Sequence, residues 1–333
     1  MKVTLIGGGS WGTTLAQVLT DNNHDCLIYD INKEFVRMIN CGYHPFFPGL
    51  ELEGIQSKAT SNLDTAINHG EIIVLSVPTK AIRSVLKEIN PLLTEPKIFV
   101  NVSKGIEPNT SKRVSEIVEE EIDPKYVKGF AALTGPSHAE EVILRKLTLL
   151  VSASNDQEIA RTVQHVFSNS EYLRVYTSDD LIGCEIGGAI KNAIAVVSGV
   201  STGLGLGENT RAALISRGVL EIVRIIEAMG GKKETAFGLA GLGDLIVTAS
   251  SENSRNFRAG REIGKGEKVD DVIANSAQTV EGVRAILAAY EIGQSHNLSL
   301  PIISAAYDVI YKGLSPREAI TALLSRDLKS EII

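Results

Sequence analysis

The stretch "IGGGSWGTTLA", residues 6–16, decides the fold of the first half of the chain. Gly7, Gly9 and Gly12 form the pattern G-x-G-x-x-G between an apolar run and a helical pattern. In a dinucleotide-binding turn, the first glycine permits the tight turn and the second lets the backbone approach a pyrophosphate. The third allows the helix to pack closely on the strand. The stretch therefore predicts a Rossmann-type dinucleotide site at a helix N-terminus, and the alternative is a strand–turn–helix junction without a ligand.

An acidic residue stands where such a site needs one. Asp30 ends the apolar run at residues 25–30, and it follows Gly12 by 18 positions. A carboxylate at the end of the second strand accepts hydrogen bonds from the adenosine ribose hydroxyls and repels a 2′-phosphate. The next residue is Ile31 rather than a base, although Lys33 is close enough to soften the bias. We expect NAD as the cofactor, with NADP disfavoured.

The rest of the first half alternates β-rich runs with helical patterns. The β-rich runs lie at residues 2–7, 25–30, 71–77, 97–103, 128–135, 147–153 and 172–177. This alternation predicts βαβ units and a doubly wound, mostly parallel sheet. After about residue 178 long helical patterns such as 210–231 replace the β-rich runs. We therefore expect a Rossmann-type dinucleotide-binding domain at residues 1–178, followed by an all-α substrate and catalytic domain at residues 179–333.

Composition narrows the function classes. The formal net charge of the 333 residues is −7, which argues against a general nucleic-acid binder. Cys26, Cys41 and Cys184 are widely spaced and form neither a metal motif nor a disulfide framework, so we expect no metal. The chain opens directly with a strand, and no uninterrupted apolar run reaches membrane-spanning length. A cytoplasmic protein without membrane insertion is expected.

One lysine interrupts an apolar stretch. Residues 185–197 read "EIGGAIKNAIAVV", and helical spacing puts Gly187 and Gly188 on the same face as Lys191. A lysine is almost never fully buried without a partner, and a glycine inside a helix costs about 1 kcal/mol relative to alanine. The functional interpretation is that the glycines clear this face so that a ligand can approach the ammonium group. The alternative is a lysine that extends to the surface along its apolar stem.

Three loops, at residues 76–82, 101–108 and 133–142, follow predicted strands at the edge of the sheet where ligands bind in open α/β folds. Lys104 lies in the second of these loops and is predicted to point at the cofactor or the substrate, unless it is a solvated loop lysine. The third loop offers backbone amides at Gly135 and Ser137 that can cradle an anion. His138 in the same loop is either an acid–base group or, as is more common at a helix start, structural.

The segment at residues 238–260 is the richest in polar chemistry outside the glycine turn. Asp244 follows a glycine-rich turn, where a carboxylate either caps a helix or orients a lysine. Ser254, Arg255 and Asn256 bring a hydroxyl, a guanidinium and an amide together. Arginine can grip a phosphate with two hydrogen bonds, and the neighbouring hydroxyl and amide can donate more. A phosphate clamp is predicted here, and a polar turn is the alternative.

These pieces together resemble the bacterial-type NAD(P)-dependent glycerol-3-phosphate dehydrogenases, in the family's order and over essentially the whole chain. The resemblance implies interconversion of dihydroxyacetone phosphate and sn-glycerol 3-phosphate in the cytoplasm, which supplies phospholipid synthesis. It also suggests a homodimer. The matching pieces are "GGGSWGTTLA", "VPTKAIR", "NVSKGIEP", "GPSHAEEV", "EIGGAIKN", "TRAALISRG", "GLAGLGDLIVT" and "NSRN".

The resemblance also assigns roles at the substrate site. Lys191 matches the catalytic acid–base lysine, and we group Lys104 and Asp244 with it in the catalytic set. A lysine can act as general acid when burial or nearby cations lower its pKa, whereas a carboxylate such as Asp244 acts in the opposite direction. The sequence alone does not give the net direction of the shift in the pKa of Lys191. The implied substrate contacts are Lys104, Gly135, Ser137, Lys191, Asp244, Ser254, Arg255 and Asn256.

On the cofactor side the resemblance adds residues beyond the three glycines and Asp30. These further contacts are Ser10, Trp11, Lys104, Ala139, Arg255, Thr279 and Glu281. The chain departs from the family at Asp30 and Ile31, where the family usually has a small residue followed by histidine or arginine. That departure puts the family's usual tolerance of NADP in doubt.

The sequence is also compatible with two other functions. Another two-domain Rossmann dehydrogenase, acting on a hydroxyacid or a sugar acid, would share the glycine turn and the lysine helix but would not need a phosphate clamp. A non-catalytic NAD-binding sensor would keep the glycine turn without needing Lys104, Lys191 and Asp244 together. An assay of NADH loss with dihydroxyacetone phosphate separates the three.

Overall fold

The computed structural model describes residues 1–55, 58–108, 110–275, 280–328 and 330–331. Within these residues a single sheet has the strand order β3-β2-β1-β4-β5-β6-β7-β8, and every neighbouring pair is parallel except β6 with β7. All seven predicted β-rich runs form strands, so the doubly wound sheet is confirmed. β3 was not predicted because two residues are too short to show a pattern. The strands are β1 (Lys2–Ile6), β2 (Asp25–Tyr29), β3 (Ala59–Thr60), β4 (Ile72–Leu75), β5 (Lys97–Asn101), β6 (Val127–Thr134), β7 (Thr148–Ala153) and β8 (Leu173–Ser178).

Helices cover both faces of this sheet. Alternate residues of one strand enter different cores: Ile72 and Val74 belong to the apolar cluster on one face, and Ile73 and Leu75 to the cluster on the other. Burial of both faces is why the central strands are apolar almost throughout. The helices of this half are α1 (Ser10–Asp21), α2 (Lys33–Asn40), α3 (Leu63–His69), α4 (Thr79–Ile89), α5 (Val114–Glu121), α6 (Ala139–Val142) and α7 (Gln157–Phe167).

The second half is helical in its described part, as predicted. The helical pattern at residues 210–231 corresponds to α9, after which Gly230 takes a φ of 88°. A π-helical turn, Leu239–Gly243, leads directly into α10. The helices are α8 (Leu181–Gly203), α9 (Gly207–Ala228), α10 (Asp244–Ala249), α11 (Arg255–Lys265), α12 (Val269–Ala274), α13 (Glu281–Ser295), α14 (Pro301–Lys312) and α15 (Pro316–Leu324).

Helix α8 is the core of this half. By length and composition it is the one described helix that could cross a membrane, but 89% of its apolar window is buried inside the structure. It contacts α11 backbone to backbone, since a Cβ added at Gly199 would lie 2.1 Å from the Phe257 carbonyl oxygen. Such an approach requires glycine. The contact brings the start of α11, with its polar cluster, close to the helix that carries Lys191.

Candidate active site

The glycine turn has the shape that a pyrophosphate needs. Gly7 adopts a φ of 113°, and a Cβ there would lie 2.6 Å from the Ser76 carbonyl oxygen. A Cβ at Gly12 would lie 2.0 Å from the Gly7 carbonyl oxygen, so only glycine lets α1 begin this close to β1. At Gly9 a Cβ would meet no described atom within 4 Å. The space above Gly9, at the N-terminus of a 12-residue helix, therefore fits the phosphates of a dinucleotide.

Asp30 is held ready to accept hydrogen bonds. Its Oδ2 accepts from the Gly8 backbone N–H at 2.7 Å, and its Oδ1 accepts from the Asn32 N–H at 2.7 Å. Both oxygens keep lone pairs for other donors, as a carboxylate oxygen has two acceptor sites. Ile31 beside it is 81% exposed and apolar. A carboxylate fixed in this place suits two ribose hydroxyls and repels a 2′-phosphate.

Three charged side chains meet between the sheet and the helices. Asp244 bridges two lysines: its Oδ2 accepts from Lys104 Nζ at 2.7 Å and its Oδ1 lies 3.0 Å from Lys191 Nζ. Lys104 Nζ also donates to the Gly135 carbonyl oxygen at 2.8 Å. Lys191 and Asp244 are 4% and 1% exposed, whereas the Lys104 side chain is 20% exposed. The functional interpretation of Asp244, a carboxylate that orients a lysine, therefore agrees with this geometry.

The electrostatics of this cluster follow from its burial. Burial lowers the pKa of Lys191 from its ordinary 10.5 to about 8; the negative charge of Asp244 opposes this shift and the positive charge of Lys104 adds to it. Burial alone would raise the pKa of Asp244, but Lys104 and Lys191 outweigh it and hold that pKa below its ordinary value. An ionised Asp244 beside a lysine poised near neutral pH is suited to proton transfer.

Two partners of this cluster were missed from the sequence. Thr248 Oγ1 accepts from Lys191 Nζ at 2.7 Å while its hydroxyl donates to the Asp244 carbonyl oxygen at 2.6 Å. Asn192 Nδ2 donates to the Lys104 carbonyl oxygen at 3.3 Å. Thr248 lies four residues after Asp244 on one helix, so helical spacing from Asp244 was the available signal.

Of the polar residues Ser254, Arg255 and Asn256 at the start of α11, two make hydrogen bonds within the protein and one is free to bind a ligand. Ser254 caps the helix, its Oγ accepting from the Phe257 N–H at 3.2 Å. Asn256 Oδ1 accepts from the Gly282 N–H at 2.9 Å, and its Nδ2 donates to Asn192 Oδ1 at 2.8 Å. Arg255 is exposed and, within the part of the chain that the structure describes, makes no hydrogen bond or ion pair. The guanidinium is therefore available for an anion, whereas the amide of Asn256 keeps one N–H.

The loop after β6 closes another side of this region. Gly135 turns with a φ of 133°, and Ser137 Oγ lies 3.4 Å from the carbonyl oxygen that receives Lys104. His138 Nε2 lies 3.2 Å from the Val247 carbonyl oxygen, which ties the loop to α10. Burial, with smaller effects from both lysines, keeps the pKa of His138 below its ordinary value. This geometry agrees with the structural role considered for His138.

The remaining expected contacts lie around this region. Ala139 begins α6 and is buried. Glu281 begins α13, and its Oε2 lies 3.5 Å from the position of a Cβ built on Gly105, next to Lys104. Burial raises the pKa of Glu281, although nearby arginines oppose the shift. Thr279 lies outside the described residues.

The interpretation that Gly187 and Gly188 clear a face for the substrate is wrong. A Cβ at Gly187 would lie 3.1 Å from the Ala240 carbonyl oxygen, and one at Gly188 would lie 2.9 Å from Thr134 Oγ1. Protein atoms already fill this space. The glycines allow the π-helical turn and the end of β6 to approach α8 closely, and in this way they position the lysine indirectly.

A substitution tests this packing role. We expect Gly188→Leu to lower the free energy of unfolding by at least about 1–3 kcal/mol, because the added side chain must displace Thr134. Chemical denaturation of both proteins measures the change. The control is Gly238→Leu, at an exposed glycine with a φ of −84° where a Cβ would meet only the Thr235 carbonyl oxygen, at 3.4 Å, and its free energy of unfolding should stay close to that of the wild type. A Gly188→Leu variant as stable as the wild type and without turnover would restore the cleared-face interpretation.

Taken together, the fold and the site define a class. The glycine turn, Lys104 and Gly135 all follow the carboxyl ends of strands in one sheet, and the helical half brings a buried lysine to the same edge. These are the features of a two-domain Rossmann-type dehydrogenase. The chain belongs to the NAD-dependent glycerol-3-phosphate dehydrogenase family, whose N-terminal model matches residues 2–160 and whose C-terminal model matches residues 180–321.

Individual relatives agree with this assignment. The chain is 60% identical over 333 residues to the glycerol-3-phosphate dehydrogenase (NAD(P)+) of Acholeplasma laidlawii, with 100% of both chains covered. It is 49% identical over 331 residues to the enzyme of that name from Phytoplasma australiense, covering 99% of this chain and 100% of the relative. The crystal structure of glycerol-3-phosphate dehydrogenase from Coxiella burnetii superposes with a TM-score of 0.91 at 31% identity, covering 97% of this chain and 98% of that chain. The resemblance inferred from the sequence motifs is thereby confirmed.

Proposed function

We propose that this protein interconverts dihydroxyacetone phosphate and sn-glycerol 3-phosphate with NADH and NAD. The observation that carries the proposal is the buried Lys191, hydrogen-bonded to Thr248 and paired with Asp244 at the ligand-binding edge of a dinucleotide fold. The full-length relatives that bear the name of this activity support it.

The cofactor residues are proposed from the fit of the glycine turn and of Asp30 to a dinucleotide. When bound, NADH supplies the hydride that reduces the substrate ketone. Asp30 would accept hydrogen bonds from the ribose hydroxyls, and the backbone N–H groups at the start of α1 would donate to the pyrophosphate. The proposed contacts are Gly7, Gly9, Ser10, Trp11, Gly12, Asp30, Lys104, Ala139, Arg255, Thr279 and Glu281.

Lys191 holds and moves the proton. Reduction of the ketone carbon leaves negative charge on its oxygen, and the Lys191 ammonium donates a proton to that oxygen. In the direction of oxidation, the neutral amine accepts the proton from the alcohol. Thr248 and Asp244 hold Nζ in place, because Thr248 Oγ1 accepts a hydrogen bond from it and Asp244 forms an ion pair with it. Lys104 neutralises Asp244 from the other side and so keeps the carboxylate from raising the pKa of Lys191 further.

The substrate phosphate is proposed to bind at Arg255. Arg255 is an exposed residue in the first turn of α11, where the helix dipole also favours an anion. The other proposed substrate contacts are Lys104, Gly135, Ser137, Lys191, Asp244, Ser254 and Asn256.

The direct test is the loss of NADH absorbance with dihydroxyacetone phosphate. The proposal predicts turnover with this substrate and little or none with 2-oxoacids that lack a phosphate. Turnover with a 2-oxoacid instead would favour the rival hydroxyacid dehydrogenase. NADH binding without turnover on either substrate would favour the non-catalytic sensor.

The lowered pKa of Lys191 predicts opposite pH profiles in the two directions. Reduction needs the ammonium form, so its kcat should fall as pH rises through about 8. Oxidation needs the neutral amine, so its kcat should rise through the same pH. Initial rates at saturating substrates across this range measure both limbs. Profiles with the same sign in both directions would exclude Lys191 as the titrating group.

The carboxylate at Asp30 predicts the cofactor preference. We expect kcat/KM for NADH to exceed that for NADPH, because the 2′-phosphate would lie against Asp30 and the apolar Ile31. The matched variant is Asp30→Gly with Ile31→Arg, which should reverse or abolish the preference. Equal efficiencies of the wild type with both cofactors would contradict the prediction.

The organisation of the protein is proposed on similar grounds. A boundary between residues 178 and 179 is supported by the end of β8 at Ser178 and the start of α8 at Leu181. The chain is proposed to act as a cytoplasmic homodimer that supplies glycerol 3-phosphate for phospholipids. It is proposed to act on small molecules without nucleic acid, metal or membrane insertion. Sedimentation analysis of the purified protein tests the dimer.

A further inference from the structure

A second cavity lies within the helical half, apart from the proposed active site. Its volume is about 300 Å³, and it opens between α8, α9, α14 and α15. Most of its lining is aliphatic, with contributions from Val196, Val200, Leu214, Ile302 and Ala306. Among the residues that the structure describes, no proposed cofactor or substrate contact lines it. This size lies at the lower end of the range for pockets that bind small molecules.

The charged residues of this cavity are mostly positive. Among the described residues, Arg217, Arg224 and Arg326 line it with one carboxylate, Glu221, so three positive charges face one negative charge. Glu221 is 2% exposed and its two oxygens accept from the Ile302 and Ile303 N–H groups at 2.7 and 3.0 Å. That carboxylate is therefore engaged with the first turn of α14. The arginines are left to attract an anion.

The arginines differ in their engagement. Arg224 donates to the Ser299 carbonyl oxygen at 2.9 Å, and Arg217 lies 3.7 Å from a Glu331 carboxylate oxygen whose side chain is 88% exposed. In the described portion of the chain, neither Arg224 nor Arg326 forms an ion pair. Both are near enough to Glu221 to lower its pKa, although burial raises that pKa to about 7. The lining therefore stays net positive whether Glu221 is ionised or neutral.

We propose that this cavity is a binding site for a single-chain amphipathic anion of the fatty-acid type. The alkyl tail occupies the aliphatic interior, and the anionic headgroup pairs with Arg224 and Arg326. A concave aliphatic cavity with cations favours such a ligand over a neutral lipid, because a charged headgroup gains charge-assisted hydrogen bonds to guanidinium. The ligand would also contact Val196 and Val200 of α8, the helix that carries Lys191.

The first test measures binding to the full-length protein by titration calorimetry, with decanoate kept below the concentration at which it forms micelles. Decyl phosphate and decanol serve as companion probes. We expect saturable binding of one decanoate per chain and at least roughly tenfold weaker binding of decanol, which lacks the charge. Tighter binding of decyl phosphate than of decanoate would support the site with a phosphate headgroup, and the reverse order would support it with a carboxylate.

Matched variants locate the site. Arg326→Gln should weaken decanoate binding at least roughly tenfold, whereas Arg317→Gln, an exposed arginine on α15 outside the cavity, should not. Ala305→Leu fills the cavity and should also weaken binding, while Ala322→Leu, at an exposed alanine of α15 that does not line the cavity, serves as its control. Circular dichroism confirms that each variant is folded.

Two results would overturn the proposal. The first is the absence of saturable decanoate binding by the wild type, and the second is equal binding of decanol and decanoate. If the first result is accompanied by a loss of the homodimer in Ala305→Leu, measured by sedimentation, the cavity is assigned instead to the surface of a second copy of the chain.

Discussion

Replacing Lys191 with methionine should lower kcat for dihydroxyacetone phosphate by at least about a hundredfold, the lower end for general acid catalysis. Methionine keeps the length and the apolar stem of the side chain but cannot donate a proton. The fold should survive because Asp244 retains Lys104 Nζ at 2.7 Å, so no buried carboxylate is left without a cation. Steady-state kinetics with saturating NADH measures the effect.

The chain offers a matched control for this variant. Lys97, the first residue of β5, is a second buried lysine and is 2% exposed. Its Nζ pairs with a Glu95 carboxylate oxygen at 2.7 Å. Lys97→Met removes a buried ammonium of the same kind outside the proposed active site, and kcat should stay within about twofold of the wild type. NADH affinity, measured by fluorescence, should be unchanged in both variants. Near wild-type turnover in Lys191→Met would show that another group supplies the proton.

Replacing Arg255 with glutamine should reduce kcat/KM for dihydroxyacetone phosphate by at least roughly tenfold. A hydrogen bond to a charged group contributes about 1.5–3 kcal/mol, and the guanidinium can form two such bonds with one phosphate. Because binding of the phosphate by Arg255 also positions the ketone for hydride transfer, part of the loss should appear in kcat. The exposed Arg255 makes no hydrogen bond or ion pair with other described residues, which argues against a structural cause for such a loss.

Two controls separate the phosphate from other effects. Dihydroxyacetone lacks the phosphate, and its slow turnover should hardly change in Arg255→Gln. Arg261→Gln alters another arginine of α11, one paired with Glu252 and Glu262, and should leave kcat/KM unchanged. The KM for NADH is measured in parallel, because Arg255 is also a proposed cofactor contact. An equal loss with both substrates would move the phosphate site to Lys104 and the amides near Gly135.

Local patterns predicted most of the fold. The glycine turn and the seven β-rich runs could be predicted because each depends on only a few adjacent residues. The φ of 113° at Gly7 needs a glycine at that position, and a strand buried on both faces needs a short apolar run. The two-residue strand β3 carries no such pattern and was not predicted. The order of the strands and the antiparallel pairing of β6 with β7 depend on contacts between distant segments. No local pattern in the chain encodes them.

The candidate site was predicted as a set of residues but not as an arrangement. Lys104, Lys191 and Asp244 were all named from motifs, yet their bridging geometry joins residues that lie 140 positions apart in the chain. The two glycines of α8 were noticed and misinterpreted, because the sequence cannot tell whether a space is filled by a ligand or by another part of the protein. Thr248 was overlooked although its helical spacing from Asp244 was visible.

The sequence by itself determined the family, the dinucleotide turn and the identity of the charged groups, because each is carried by residue types at short spacings. Only the tertiary structure decided the direction in which the pKa of Lys191 moves. Burial lowers that pKa, Asp244 raises it and Lys104 lowers it again. The balance depends on how deeply Nζ is buried and on distances of 2.7 and 3.0 Å between side chains from separate parts of the chain. These quantities exist only once the chain has folded.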